Sequence, residues 1–132
     1  ASYEKVFQNK IIFVCLPTPM NPDGSCNTSI VKGEIEKLDK LGKYTIVVKS
    51  TIMPGTTKAW NQRYNSDIVF NPEFLTEKNA VKDFENQKHI VLGGPKKATE
   101  KIKNIFTAIY HSLFIFYCTQ VLFKFNTNKL QK

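Results

Sequence analysis

The 132-residue sequence has a single arginine, a single tryptophan, and three cysteines that form no CxxC pair. Cys15, Cys26 and Cys118 are odd in number and far apart, which excludes a disulfide framework. His89 and His111 add no matching short-range spacing, so no zinc centre is expected. No apolar run approaches the roughly 20 residues of a membrane-spanning helix. The longest are Ile11–Leu16 and Leu113–Cys118. Ala1–Lys10 is polar with no long apolar stretch behind it, so no secretory leader is read there. A reducing, cytoplasmic setting without membrane association is the expectation. Neither a glycine-rich G-x-G-x-x-G turn nor a phosphate-binding P-loop occurs anywhere.

Acidic residues are few, 11 against 19 basic, for a net charge of +8. Nucleic-acid recognition favours the arginine fork, yet every basic residue except Arg63 is lysine. The lysines are scattered, with Lys96–Lys97 the sole adjacent pair, and read as a solvated surface rather than a nucleic-acid track. With 42% apolar and 23% charged residues, the composition is that of a soluble globular protein. The length suits one α/β domain over residues 1–118, followed by a tail, 119–132, without clear periodicity.

Lys10–Leu16 is a continuous apolar, β-branched run closed by Pro17, the pattern of a strand buried on both faces. Within it Cys15 reads as a small buried hydrophobe. Pro17–Gly24, with three prolines and Asp-Gly, must be a loop. Thr28 or Ser29 is placed to cap a helix running to Leu41, with Ile30, Val31, Ile35, Leu38 and Leu41 at helical spacing and Gly42 as the stop. Tyr44–Val48 is a second buried strand, followed by a turn at Met53–Gly55 and a short helix from Thr56 to Tyr64. Asp67–Phe70 and His89–Leu92 are further strands, separated by a loop with a helical turn between Glu73 and Glu85. Lys97–His111 reads as a helix with Ile102, Ile105, Phe106 and Ile109 on one face, and Leu113–Cys118 as a fifth strand. Alternation of this kind predicts right-handed βαβ crossovers and a parallel sheet flanked by helices, an α/β domain of the doubly wound type.

In such sheets ligands sit beyond the carboxyl ends of the strands. That rule selects three loops: Pro17–Ser25, Ser50–Gly55 and Asn71–Glu77. Thr18 lies in a proline-stiffened loop that loses little entropy on binding. Ser50 and Thr51 offer hydroxyls and turn N–H groups suited to a phosphate, an amide or a held water. Any one of these hydroxyls could equally be a turn or cap. For Glu73, between Pro72 and the apolar Phe74 and Leu75, one reading is surroundings that favour the protonated acid and suit proton transfer near neutral pH. Composition alone favours the other, a solvated glutamate at a helix start. Read residue by residue, the chain is a parallel α/β domain with a ligand edge.

At these same loops the sequence resembles the UDP-glucose/GDP-mannose dehydrogenase family, the NAD-dependent nucleotide-sugar 6-dehydrogenases. Four blocks carry the likeness over about residues 10 to 94. They are Phe13-Val-Cys-Leu-Pro-Thr-Pro19 with Asp23-Gly-Ser25, Val48-Lys-Ser-Thr51 with Pro54-Gly-Thr56, Asn71-Pro-Glu-Phe-Leu75 with Glu77 and Ala80, and Asp83-Phe84 running to Ile90-Val-Leu-Gly93. The resemblance implies the second half of a Rossmann-like NAD-binding domain, in enzymes that oxidise the C6 alcohol of a nucleotide sugar to a carboxylate through a cysteine thioester.

It implies that Leu16, Pro17, Thr18, Pro19 and Met20 line the dinucleotide, with Thr18 near the pyrophosphate. Ser50, Thr51 and Ile52 would lie toward the nicotinamide ribose, Thr51 helping to hold the reacting water. Glu73 would be the acid/base of thioester hydrolysis, with Phe74, Leu75 and Thr76 at the sugar nucleotide and Glu77 facing both ligands. The sequence departs from the family pattern at Lys78, Gln87 and Lys88. The glycine fingerprint and the nucleophilic cysteine are expected outside this segment, so Cys26 is coincidental and the segment by itself is not expected to turn over. A UDP-sugar or similar nucleotide sugar is the implied substrate, and no metal or nucleic-acid partner is implied. Homo-oligomerisation or association with further domains is left open. The reading from another class is a non-catalytic α/β module that binds a nucleotide or a protein.

Overall fold

The structure, a computed structural model, describes residues 10–109 and 114–117, with the side chains of 77 and 114–117 outside the description. The elements alternate along the chain. In order they are β1 (Ile11–Val14), α1 (Ser29–Leu41), β2 (Thr45–Val48), α2 (Thr56–Arg63), β3 (Asp67–Phe70), α3 (Ala80–Glu85), β4 (His89–Leu92), α4 (Lys96–Ile109) and β5 (Phe114–Tyr117). A 3-10 turn at Glu77–Asn79 leads into α3, so the expected loop after Glu73 contains more helix than its sequence suggests. The tail 119–132, His111 and residues 1–9 lie outside the described residues.

β1, β2 and β3 form a parallel sheet in that order, with Ile11 beside Thr45 and Thr45 beside Asp67. β4 and β5 form a second parallel pair, with His89 beside Phe114. The two sheets are joined where Phe70 and Gly93 exchange backbone hydrogen bonds of 2.7 and 2.9 Å. The strands are four residues long, so side-chain alternation decides which face each residue serves. Ile12, Val14, Ile46, Val48 and Ile68 pack under α1 and α2, against Val31, Ile35, Leu38 and Trp60. Val47, Val69, Ile90 and Leu92 pack on the other face against Ala98, Ile102 and Phe106 of α4. Helices on both faces of a parallel sheet are the expected doubly wound arrangement.

Four local expectations are corrected. β1 is not buried on both faces: Ile12 and Val14 are inside, but Phe13 is 47% exposed and Cys15 is exposed. On the second face the cluster under α4 centres on β2, β3 and β4, and of β1 only Ile11 packs against it. The start of α1 is tied by Asn27, whose Oδ1 accepts the Ser29 N–H at 3.0 Å. Thr28 makes no capping bond through its side chain, and its φ of −96° and ψ of 9° lie outside the extended conformation usual for a capping residue. On α1, Ile30 and Leu41 fall outside the buried stripe of Val31, Ile35 and Leu38. On α4, Ile105 and Ile109 are likewise exposed beside the stripe of Ala98, Ile102 and Phe106. The buried positions are i, i+4 and i+7 on α1 (Val31, Ile35, Leu38) and i, i+4 and i+8 on α4 (Ala98, Ile102, Phe106), with Thr99 buried beside Ala98.

Candidate functional site

The carboxyl ends of β1, β2 and β3 open into one cleft of about 480 Å³. The loop after β1 contributes Cys15 to Thr18, the loop after β2 contributes Lys49 to Thr51, and the segment after β3 contributes Pro72, Glu73 and Phe74. Thr18, Thr51 and Glu73, 55 positions apart at the extremes, therefore share one crevice. Parallel strands bring this about, because each ends at the same rim of the sheet.

Ser50 fastens the first two loops together. Its hydroxyl accepts the Leu16 N–H at 2.9 Å and donates to the Leu16 carbonyl at 2.7 Å. The residue is 8% exposed, so this hydroxyl shapes the cleft wall and is occupied by Leu16. Beyond Thr18 the chain folds on itself, with the Asn27 N–H on the Pro19 carbonyl at 2.8 Å and an antiparallel bridge between Met20 and Cys26. The Cys26 thiol then donates to the Thr51 carbonyl at 3.3 Å, which ties this small hairpin to the second loop. Cys26 is thus a tether between two walls of the site.

Glu73 is not enclosed by apolar side chains, so of its two sequence readings the structure has the solvated glutamate. Its side chain is 49% exposed and its Oε2 stands 3.4 Å from Lys49 Nζ. Phe74 points enough of its ring to solvent to remain 72% exposed, which is why the apolar neighbours in sequence do not wrap the acid. Lys49 also donates to Asn71 Oδ1 at 3.2 Å, and Asn71 Nδ2 donates to the Val91 carbonyl at 3.0 Å. Neither Lys49 nor Asn71 stands out as a site residue in the sequence. A lysine directly after a four-residue buried strand, and an asparagine fixed before Pro72, are the signals that could have found them.

Cys15 lies on the same cleft wall. Partial withdrawal from water raises its thiol above the ordinary range, the Lys49 ammonium pulls it down and the Glu73 carboxylate pushes it up. Only the thiolate is nucleophilic, so Cys15 reports the local charge. Alkylation of Cys15 by iodoacetamide, followed by mass spectrometry that separates it from Cys26, is expected to rise with pH along a profile displaced to high pH. Lys49→Met should displace it further and slow the reaction at pH 8 by about threefold, while Glu73→Gln should speed it by a similar factor, as a modest coulombic effect in a half-wet site would. Identical profiles in both variants would show that neither charge reaches the thiol.

The remaining sequence-predicted residues divide. Leu16 and Pro17 line the cleft. Pro19 and Met20 stand in the hairpin beyond the cleft lining, Met20 being 78% exposed. Ile52 is buried in the core beneath α1 and α2. Leu75 lines a separate apolar groove with Val81, Phe84 and Ile109. The hydroxyl and N–H of Thr76 both donate to Asp83, at 2.6 and 2.9 Å, so Thr76 holds the segment onto α3. Glu77 opens the 3-10 turn. Among the described residues no three His, Cys, Asp or Glu side chains converge as metal ligands, and no helix is long and apolar enough to cross a membrane.

Comparison with known proteins agrees with this fold. Residues 1–114 match the UDP-glucose/GDP-mannose dehydrogenase family, NAD binding domain. The uncharacterized protein MJ1054 of Methanocaldococcus jannaschii is 34% identical over 116 residues, covering 83% of this chain and 13% of that protein. UDP-glucose 6-dehydrogenase AglM of Haloferax volcanii is 33% identical over 124 residues, covering 81% of this chain and 29% of that one. Among solved structures, a UDP-glucose dehydrogenase from Pyrobaculum islandicum superposes with a TM-score of 0.74 at 27% identity, over 86% of this chain and 30% of that chain. The chain therefore spans less than a third of each of these proteins. Matched over most of its length by that domain, the chain belongs to the UDP-glucose/GDP-mannose dehydrogenase family.

Proposed function

We propose that this chain supplies part of the NAD site and part of the nucleotide-sugar site of an NAD-dependent 6-dehydrogenase, which oxidises the C6 alcohol of a UDP-sugar or similar nucleotide sugar to a carboxylate. The single observation that carries the reading is the convergence of Thr18, Thr51 and Glu73 on one cleft at the sheet's carboxyl rim. The residues present suit one end of a dinucleotide. A cleft of about 480 Å³ holds a nicotinamide-ribose or a comparable portion, and the Thr18 and Thr51 hydroxyls are of the kind that orients ribose and phosphate oxygens. Bound NAD would supply the hydride acceptor.

The chain's own residues do the rest. Leu16 and Pro17 would give bound NAD an apolar wall, and Thr18 would hold its phosphate oxygens. Thr51 orients water beside the reacting carbon. Glu73 takes and returns the proton during hydrolysis of the acyl intermediate, a role open to a carboxylate within hydrogen-bond reach of that water. Phe74, on the cleft lining, contacts the sugar nucleotide. Ser50 serves by holding Leu16 in place. No glycine-rich pyrophosphate turn and no thioester-forming Gly-Gly-Ser-Cys motif occurs in these 132 residues, so near-attack geometry is incomplete and the chain taken alone does not turn over.

Isothermal titration with NAD and with UDP-glucose tests the reading, and Cys15 alkylation provides a second readout. Both ligands are expected to bind weakly, and saturating NAD is expected to slow alkylation of Cys15 by about half or more, because the thiol lines the cleft. If neither ligand binds nor protects Cys15, the reading falls and the protein is a non-catalytic module.

A further inference from the structure

We propose that Lys49 is a positioning residue that aims Glu73 into the cleft, and that Asn71 is the fixed point from which it does so. The inference rests on the reading of Glu73 as an acid/base. Three hydrogen-bonding groups line up across three strand ends. The Asn71 amide is 2% exposed, held by its backbone N–H on the Val48 carbonyl at 2.9 Å and by its side-chain NH₂ on the Val91 carbonyl at 3.0 Å. Its remaining Oδ1 accepts from Lys49 at 3.2 Å, and Lys49 reaches Glu73 Oε2 at 3.4 Å. The Lys49 side chain is only 14% exposed, so its ammonium is confined between these two oxygens rather than free in solvent.

Pairing alone does not account for this layout. Glu73 is half-exposed, and a pair with one solvated partner contributes little to stability. What the pair does is choose one orientation. Pro72 fixes the backbone just before Glu73, which leaves three side-chain torsions undetermined, and the ammonium selects the rotamer whose carboxylate faces the cleft. A carboxylate that transfers protons to a bound water needs placement within about half an ångström. An exposed glutamate without such a partner samples many rotamers.

The test uses the full 132-residue chain with ¹³C-labelled glutamate and ¹⁵N-labelled lysine side chains, read by NMR at pH 7. The Glu73 carboxyl resonance is expected to stand apart from those of the exposed glutamates, to collapse toward them in Lys49→Met, and to return in Lys49→Arg, which keeps the charge. Glu73→Gln reads the pair from its exposed end, and there the Lys49 ammonium signal should shift while the methyl spectrum of the core stays unchanged. That variant keeps the test decisive even where Lys49→Met disturbs folding. An unmoved Glu73 resonance in Lys49→Met, or an unmoved Lys49 signal in Glu73→Gln, overturns the positioning role. If either occurs while NAD and UDP-glucose still bind, the reading of the cleft survives. If the resonances move as expected but neither ligand binds, that reading fails, and with it the reaction for which Lys49 would aim Glu73.

Discussion

Replacing Gly94 by alanine is expected to lower the stability of the chain by about 2–4 kcal/mol, measured by urea unfolding. Gly94 follows the backbone bridge that joins the two sheets, and its φ is +153°, a conformation L side chains rarely adopt. A Cβ at this position would lie 2.7 Å from the Ile68 carbonyl oxygen and 3.2 Å from Val69 Cα. Those neighbours are backbone and cannot swing aside. Backbone strain of this kind costs about 1–3 kcal/mol, and forcing atoms into a filled site costs a similar amount. The damage should spread to the cleft, since Phe70 and Gly93 are bonded in both directions and Asn71 follows directly. Loss of less than about 0.5 kcal/mol, the range of an ordinary surface substitution, would show that the two sheets are not held together at this point.

Much of this architecture is legible in the sequence because it rests on local pattern. In a run such as Tyr44–Val48 every residue after the tyrosine is β-branched, and β2 is indeed buried along its whole length. The strand–helix alternation carries the topology, and topology alone brings Thr18, Thr51 and Glu73 to one rim. What the sequence hides is which faces are covered. Ile11–Leu16 is as apolar as β2, yet of β1 only Ile11 packs against the cluster under α4, and Phe13 and Cys15 face outward. An apolar run says that a residue can be buried, not that a neighbour arrives to bury it.

The setting of Glu73 was hidden for a related reason. Phe74 and Leu75 adjoin it in the chain, but one is exposed and the other turns into a separate groove. The neighbour that matters is Lys49, from another strand. Pair contacts between residues 24 positions apart leave no periodic trace. Ser50 illustrates the converse: its place in the site loop was legible, whereas its partner, the backbone of Leu16, was not.

That partnership yields the second large effect. Ser50→Ala is expected to destabilise the chain by about 2–3 kcal/mol in the same urea measurement. The hydroxyl makes two short hydrogen bonds to one residue, accepting from the Leu16 N–H and donating to its carbonyl, in a position 8% exposed. A typical hydrogen bond contributes about 1 kcal/mol net, and a backbone donor left without a partner away from water costs about 1–3 kcal/mol. Alanine preserves the shape of the backbone turn but removes both bonds, so the Leu16 peptide must find water or move. The two effects separate by the conservative variant. Ser50→Thr keeps the hydroxyl and should recover most of the loss if the extra methyl is accommodated at the cleft margin, whereas Ser50→Cys, with a weak thiol donor, should not. Because Leu16 opens the segment that leads to Thr18, Ser50→Ala should also weaken NAD protection of Cys15. A variant as stable as the parent, with protection intact, would mean that the loop after β1 is held by its prolines and not by this hydroxyl.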